Sequence, residues 1–134
     1  MAKITQEMKA IAEKAKIFIM ATATREGKPN GVPIIDAKIV SDDEIMLVDN
    51  FMKKTRQNID ENPVVAVSFW DSGVGYGYQF KGNARVETSG KLFDEATRLA
   101  HGEGPKRSPK AAVVVKVDEI YYVGSGPNSG KRLD

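Results

Sequence analysis

The sequence predicts a small antiparallel barrel with accessory helices. Three observations lead there. Six or seven β-type runs follow one another at short spacing, helical patterns occur only at the start, the middle and before the last strands, and strands and helices do not alternate as in a parallel α/β sheet. At 134 residues the chain is of one-domain size. A hydrophobic share of 41% with 28% charged residues is ordinary for a globular chain and argues against wholesale disorder.

Taken in order, Ile4, Met8, Ile11, Ala12 and Ala15 recur at three- and four-residue steps, placing an N-terminal helix within residues 1–16, with Thr5 as N-cap. Lys16 to Thr24 is apolar and β-branched on both alternating faces and reads as a strand buried on both sides. Arg25-Glu-Gly-Lys28 is a hairpin turn, with Gly27 free to take positive φ. Pro29 to Val40 is the second strand. Pro29 and Pro33 cannot donate to a ladder, so this strand is expected at an edge, or irregular where something other than a neighbouring strand meets its backbone. Ser41-Asp-Asp-Glu44 turns into a third strand, Ile45 to Val48.

Met52 to Glu61 is a short helix stopped by Asn62-Pro63, because the residue before proline avoids the helical region. Val64 to Trp70 is a strand, Asp71 to Gly77 a loop with three glycines, and Tyr78 to Glu87 another strand. Leu92, Phe93, Ala96, Leu99 and Ala100 mark a helix from Ser89 to His101, and Gly102 to Lys110 is a basic, proline-bearing loop. Ala111 to Val117 and Ile120 to Val123 read as a last hairpin around Asp118-Glu119, and residues 125–134 as a loose tail.

Composition narrows the chemistry. The absence of cysteine excludes disulfides, thiolate metal sites and a cysteine nucleophile, and a single histidine, His101, excludes a two-histidine metal motif. A net charge of +2 does not by itself call for nucleic acid or membrane. No apolar run approaches the roughly 20 residues of a membrane span, and the first residues lack a signal-type apolar stretch, so a cytoplasmic location is expected.

The informative segment is Asp49-Asn-Phe-Met-Lys-Lys-Thr-Arg-Gln-Asn58. Free amides at a helix start, two ammonium groups and a hydroxyl suit a phosphate monoester. The same lysines would also make a solvated basic turn. Against that, cations favour a helix C-terminus, yet Lys53, Lys54 and Arg56 crowd the start while Asp60 and Glu61 stand at the end. Such local rule-breaking gathers at functional sites.

Four stretches in order, Ala21-Thr22…Gly27-Lys-Pro29…Val32-Pro-Ile34, Met52-Lys-Lys-Thr-Arg-Gln-Asn58, Asn62-Pro63 into Val65-Ala-Val-Ser-Phe-Trp70, and Phe80-Lys-Gly-Asn-Ala-Arg-Val86, resemble the flavin-binding split-barrel proteins related to pyridoxamine 5′-phosphate oxidase. The resemblance implies a six-stranded antiparallel split β-barrel, a homodimer, and FMN in grooves between the subunits. It puts Lys54 and Thr55 on the FMN phosphate with Lys53 and Asn58 nearby, Val32, Pro33, Ile34 and Ile35 along the flavin ring, Lys38 as a further cofactor contact, and Val48 and Asp49 beside the ribityl chain and phosphate. The additional C-terminal arginine and histidine residues of the true oxidases are missing, so the chain looks like a short relative. Such relatives reduce flavins, carry electrons or use a deazaflavin or haem instead.

The expected function is therefore FMN-dependent electron or hydride transfer with a small-molecule donor or acceptor. A flavin-storing or redox-sensing protein is the alternative, and a barrel that binds nucleic acid a more distant one, since the aromatics lie mostly in apolar strands. Trp70 and Phe69 are read as core or interface, Tyr76 and Tyr78 as ring cover or dimer contact, His101 as a surface residue, and the Lys106-Arg107…Lys110 cluster as solvated. Gly73-Val-Gly75-Tyr-Gly77 opens no helix and fails the dinucleotide context.

Overall fold

Both free edges of one sheet come from a single stretch of chain. In the computed structural model, which describes residues 2–102 and 107–134, the elements run α1 (Gln6–Lys14), β1 (Phe18–Ala23), β2 (Pro29–Ile34), β3 (Ala37–Ile39), β4 (Glu44–Asp49), α2 (Lys54–Glu61), β5 (Val64–Asp71), β6 (Tyr76–Glu87), α3 (Lys91–Ala100) and β7 (Ala111–Val123). Seven antiparallel strands are ordered β2-β1-β5-β6-β7-β4-β3. The outermost strands, β2 and β3, are joined only by Ile35 and Asp36, so the sheet curls until its edges meet at one bend. That is a split barrel.

The structure has one strand more than the six the resemblance implies, and two strand boundaries differ from the sequence reading in ways that cancel in the count. Pro29 to Val40 is not one strand but two, because the chain turns away at Ile35-Asp36. Asp118-Glu119 is not a hairpin turn: β7 runs straight through it against β6, and the register shift at Lys81/Gly82 leaves Asp118 as an extra residue in a bulge. Gly82 permits this close crossing, since a Cβ there would stand 1.9 Å from the Lys116 carbonyl oxygen.

Inside the curl, Phe69 meets Phe18 at 5.3 Å and Phe80 edge-on at 5.1 Å, with Met20, Ile45, Leu47, Val67, Val113 and Val115 packed around them. Ile4, Met8 and Ile11 of the first segment close one end of this core. On the outer face of β4 and β7, Met46, Val48, Ala112 and Val114 are covered by Ala96 and Ala100 of α3. These two strands, therefore, are the ones buried on both sides. β1 is not: Phe18, Met20 and Thr22 are buried, whereas Ile19 and Ala21 point out of the sheet, Ile19 half-buried and Ala21 exposed.

The helices are shorter than their patterns. Thr5 caps α1 by accepting from the Met8 amide at 3.2 Å. α2 starts at Lys54, not Met52, because the Met52 amide is held by the Asp49 carboxylate at 2.9 Å. The expected loop of residues 71–77 is shorter: residues 72–75 form a tight turn between β5 and β6, in which the Asp71 backbone oxygen accepts from Gly75 at 2.8 Å, with φ of +83° at that glycine.

Residues 125–134, expected to be loose, are placed along β7. Tyr122 donates to the Lys131 carbonyl at 2.9 Å, Leu133 donates to the Ile120 carbonyl at 2.8 Å, and the Asp134 carboxylate accepts from the Ile120 amide at 3.0 Å and from Arg132 Nε at 2.9 Å. Arg132 first, then the Ile120 amide, hold the Asp134 carboxyl down to about 2, from 3.8 ordinarily. A carboxyl depressed in the folded state stabilises fully above its unfolded value and loses that contribution as pH falls through the folded one. We expect the tail to release from β7 between about pH 4 and pH 2. The Ile120 amide resonance should shift across that window, and a flat titration would show that the carboxylate does not hold the tail.

Candidate functional site

The bend that closes the barrel also opens a cleft. Its volume is about 240 Å³, and it lies between β2 with the following bend (Val32, Pro33, Ile34, Ile35) and the passage from β4 to α2 (Val48, Asn50, Phe51, Met52, Lys53, Lys54, Thr55). β2 bonds only to β1, so its other side is free for the cleft, which is where prolines cost least. Ile35 and Phe51 stand 51% and 77% exposed at the lips.

One end of the cleft is cationic. α2 has no side-chain N-cap, no acidic residue in its first turn and no basic residue in its last. Among the described residues, neither Lys53 nor Lys54 has a carboxylate partner. The bare first turn, its dipole and two ammonium groups without a described carboxylate partner are the groups that an anion would need. Thr55, in the same first turn and 2% exposed, lines this end of the cleft.

Two buried carboxylates hold the walls. Asp49, fully buried, accepts from Met52 at 2.9 Å and Arg56 Nη1 at 2.7 Å, with Lys110 Nζ 3.6 Å away. Asp36, 7% exposed at the bend, takes both Arg107 Nε at 2.9 Å and Nη2 at 3.0 Å, together with Asn50 Nδ2 at 2.9 Å, while its backbone oxygen accepts from Val48. Arg107 and Lys110, in the loop before β7, thereby brace the two sides of the cleft. They are paired, not simply solvated; Lys106 lies outside the described residues.

Of the expected site residues, Val32, Pro33, Ile34, Ile35, Val48, Lys53, Lys54 and Thr55 come together at the cleft. Asp49 lies beneath it. Asn58, 6% exposed, is on the buried face of α2, outside the cleft lining, and donates to Thr22 Oγ1 at 3.0 Å. Lys38 stands apart on β3, paired with Glu95 at 2.7 Å; together with Arg98 it holds that carboxyl down to about 2. Asn50, Phe51 and Met52 line the cleft without having been singled out. The signal for them was their place between the strand end and the two lysines.

The other candidates fall elsewhere. Phe69 is core, and Trp70 is 46% exposed on the outer face. Tyr76 stacks on Tyr122 at 5.6 Å and donates to Glu7, which pushes its hydroxyl up to about 12; this ties α1 to β6. His101 is exposed at the end of α3. Among the described residues no cluster of His, Asp or Glu could hold a metal ion, and no helix is long and apolar enough to cross a membrane.

Comparison with known proteins supplies the lineage of this architecture. The chain is 37% identical to an uncharacterized protein of Methanocaldococcus jannaschii over 133 residues, which cover 98% of this chain and 88% of that protein. It is similar to the crystal structure of HupZ from Group A Streptococcus, with a TM-score of 0.79 and 32% identity, covering 95% of this chain and 99% of that one. An FMN-binding protein from Syntrophomonas wolfei shares the fold at a TM-score of 0.78 and 16% identity, covering 90% of this chain and 86% of that one. With residues 4–124 also matching the family model described as pyridoxamine 5′-phosphate oxidase, this split barrel belongs to the pyridoxamine 5′-phosphate oxidase family.

Proposed function

We propose that the protein binds FMN in the cleft and uses it for electron or hydride transfer with a small-molecule partner, as a homodimer. The observation that carries this reading is the asymmetry of the cleft: apolar walls along β2 and the end of β4, and an unpaired cationic helix start at one end. A flat ring joined to a dianion has that same asymmetry. Lys53, Lys54, Thr55 and the first amides of α2 would hold the phosphate, and Val32 to Ile35 would flank the ring. When bound, FMN supplies the redox chemistry at its ring, and the protein needs no acid or base of its own. The chain's part is to position the ring, set its electrostatics and exclude water.

Membership in the family and the FMN-binding relative support the cofactor class. The dimer is supported by two features. A volume of about 240 Å³ is below the roughly 300–1,000 Å³ of a complete small-molecule pocket, so one chain supplies only part of the wall. Beside the cleft, the outward rows Pro33–Ile19–Ser68 and Gly31–Ala21–Ala66 carry no charge across three strands, and the exposed Trp70 and Val64 stand at the two ends of the β5 row. A second copy seated there would bury this sheet face and cover the open side of the cleft.

The test is titration of the purified protein with FMN, riboflavin, a deazaflavin and haem, together with its mass in solution. FMN is expected to bind tightest, with quenched fluorescence, to a dimer. Tighter binding of a deazaflavin or haem would replace the cofactor, and failure to bind any of them would remove the reading. Turnover with reduced nicotinamide and candidate acceptors separates an enzyme from a flavin-storing or sensing protein.

A further inference from the structure

Behind the cationic end of the cleft lies a buried set of polar side chains linking β1, β2 and α2. Asn30 Nδ2 donates to two hydroxyl oxygens, Thr22 Oγ1 at 3.2 Å and Thr55 Oγ1 at 3.1 Å. Asn58 Nδ2 donates to the same Thr22 oxygen at 3.0 Å. Thr22, Thr55 and Asn58 are 4%, 2% and 6% exposed, so water does little to complete their bonding.

The direction of these bonds matters. An amide nitrogen carries two hydrogens and accepts nothing, so Asn30 spends both hydrogens on the two threonines. Thr55 Oγ1 therefore acts toward Asn30 as an acceptor. Its own hydrogen must be used in another direction, and Thr55 is one of the residues that line the cleft at the anion end. A serine or threonine hydroxyl left to itself rotates to suit its neighbours; here one neighbour is fixed.

We infer that Asn30 is a positioning residue for anion binding: by filling an acceptor position on Thr55 Oγ1, it leaves the hydroxyl hydrogen to be donated into the cleft, toward a phosphate monoester. The inference rests on the phosphate reading of the site given above. Asn30 does not itself line the cleft. Its effect should therefore appear in the preference for a phosphorylated ligand over the same ligand without phosphate, and not in ring binding.

The experiment measures dissociation constants for FMN and riboflavin by fluorescence titration, with Tm, for the full-length wild type, Asn30→Ala, Asn30→Asp and Thr22→Val. The quantity read is the riboflavin-to-FMN ratio of constants. Wild type is expected to favour FMN. Asn30→Ala should lower the ratio by roughly tenfold, the scale of one charge-assisted hydrogen bond, while the riboflavin constant moves less than about threefold. Asn30→Asp keeps the shape but accepts where Asn30 donates, and so draws the Thr55 hydrogen inward; its loss of preference should persist at high salt, where simple repulsion is screened. Thr22→Val loosens the same network without touching the Thr55 contact and should keep the ratio. An unchanged ratio in Asn30→Ala, a loss in Asn30→Asp that salt abolishes, or an equal loss in Thr22→Val would overturn the inference and leave the phosphate site standing. A wild-type ratio near one would remove both together. Should Asn30→Ala fail to fold, the near-isosteric Asn30→Asp and its salt dependence decide alone.

Discussion

Replacing Asp49 by Ala is expected to destabilise the fold by about 3 kcal/mol, the lower end of what removing one member of a buried ion pair costs. The carboxylate is fully buried and meets the Met52 amide, Arg56 and Lys110. Deleting it strands a buried amide and two cations at once. The loss stays near the lower end because Arg56 and Lys110 are 27% and 50% exposed and can recover some hydration. Asn at this position keeps an acceptor for Met52 and should cost less, about 1–2 kcal/mol. Urea unfolding reads both values: the midpoint should fall with the slope unchanged. A shift below about 1 kcal/mol for Ala would show that the turn from β4 into α2 is held by something other than this carboxylate.

This role for Asp49 shows where sequence reasoning stops. Hydropathy and turn chemistry made the strands legible, because alternation, Gly27 and the prolines act over a few residues. Pro29 and Pro33 pointed to a strand at an edge or an irregular one, and Pro29–Val40 is both, broken at Ile35-Asp36 into β2 and β3 at the two edges of the sheet. Burial on both faces was assigned to β1 although β4 and β7 have it, since an apolar run does not say whether its second face meets α3 or is left open. Asp118-Glu119 looked like a turn because two adjacent acids break an apolar pattern; a bulge accommodates them as well, and the choice depends on β6, whose Gly82 is far away in sequence.

The site divides in the same way. Lys53, Lys54 and Thr55 were legible because the charge order of their helix contradicts its dipole, a purely local fact. Asp36, Arg107 and Asn30 gave no such signal. Asp36 and Arg107 are 71 positions apart and Asn30 and Thr55 are 25 apart, and each pair exists only because the sheet curls. Lys38 illustrates the opposite case. Its place in the family motif suggested a cofactor contact, while within one chain its ammonium group is taken by Glu95.

Lys54→Ala with Thr55→Ala is expected to weaken FMN binding by about 2–4 kcal/mol, or roughly 30- to 1,000-fold. The double change removes an ammonium group and a hydroxyl from the end of the cleft where, among the described residues, no carboxylate pairs with the lysine. Riboflavin has no phosphate, so its binding should change by less than about threefold; titrating both ligands separates loss of the anion site from loss of the cleft. Thr55 also receives Asn30, so Thr55→Ala alone leaves a half-buried amide hydrogen unmet and should lower Tm, whereas Thr55→Ser keeps the oxygen and should restore both Tm and FMN affinity. Lys53→Ala should cost less than Lys54→Ala, because Lys53 precedes the helical turn whose free amides define the anion position. Equal losses for FMN and riboflavin in the double variant would mean that the lysine and threonine shape the cleft without binding phosphate. The unpaired charge at the start of α2 would then be a surface feature and not the recognition element of a cofactor site.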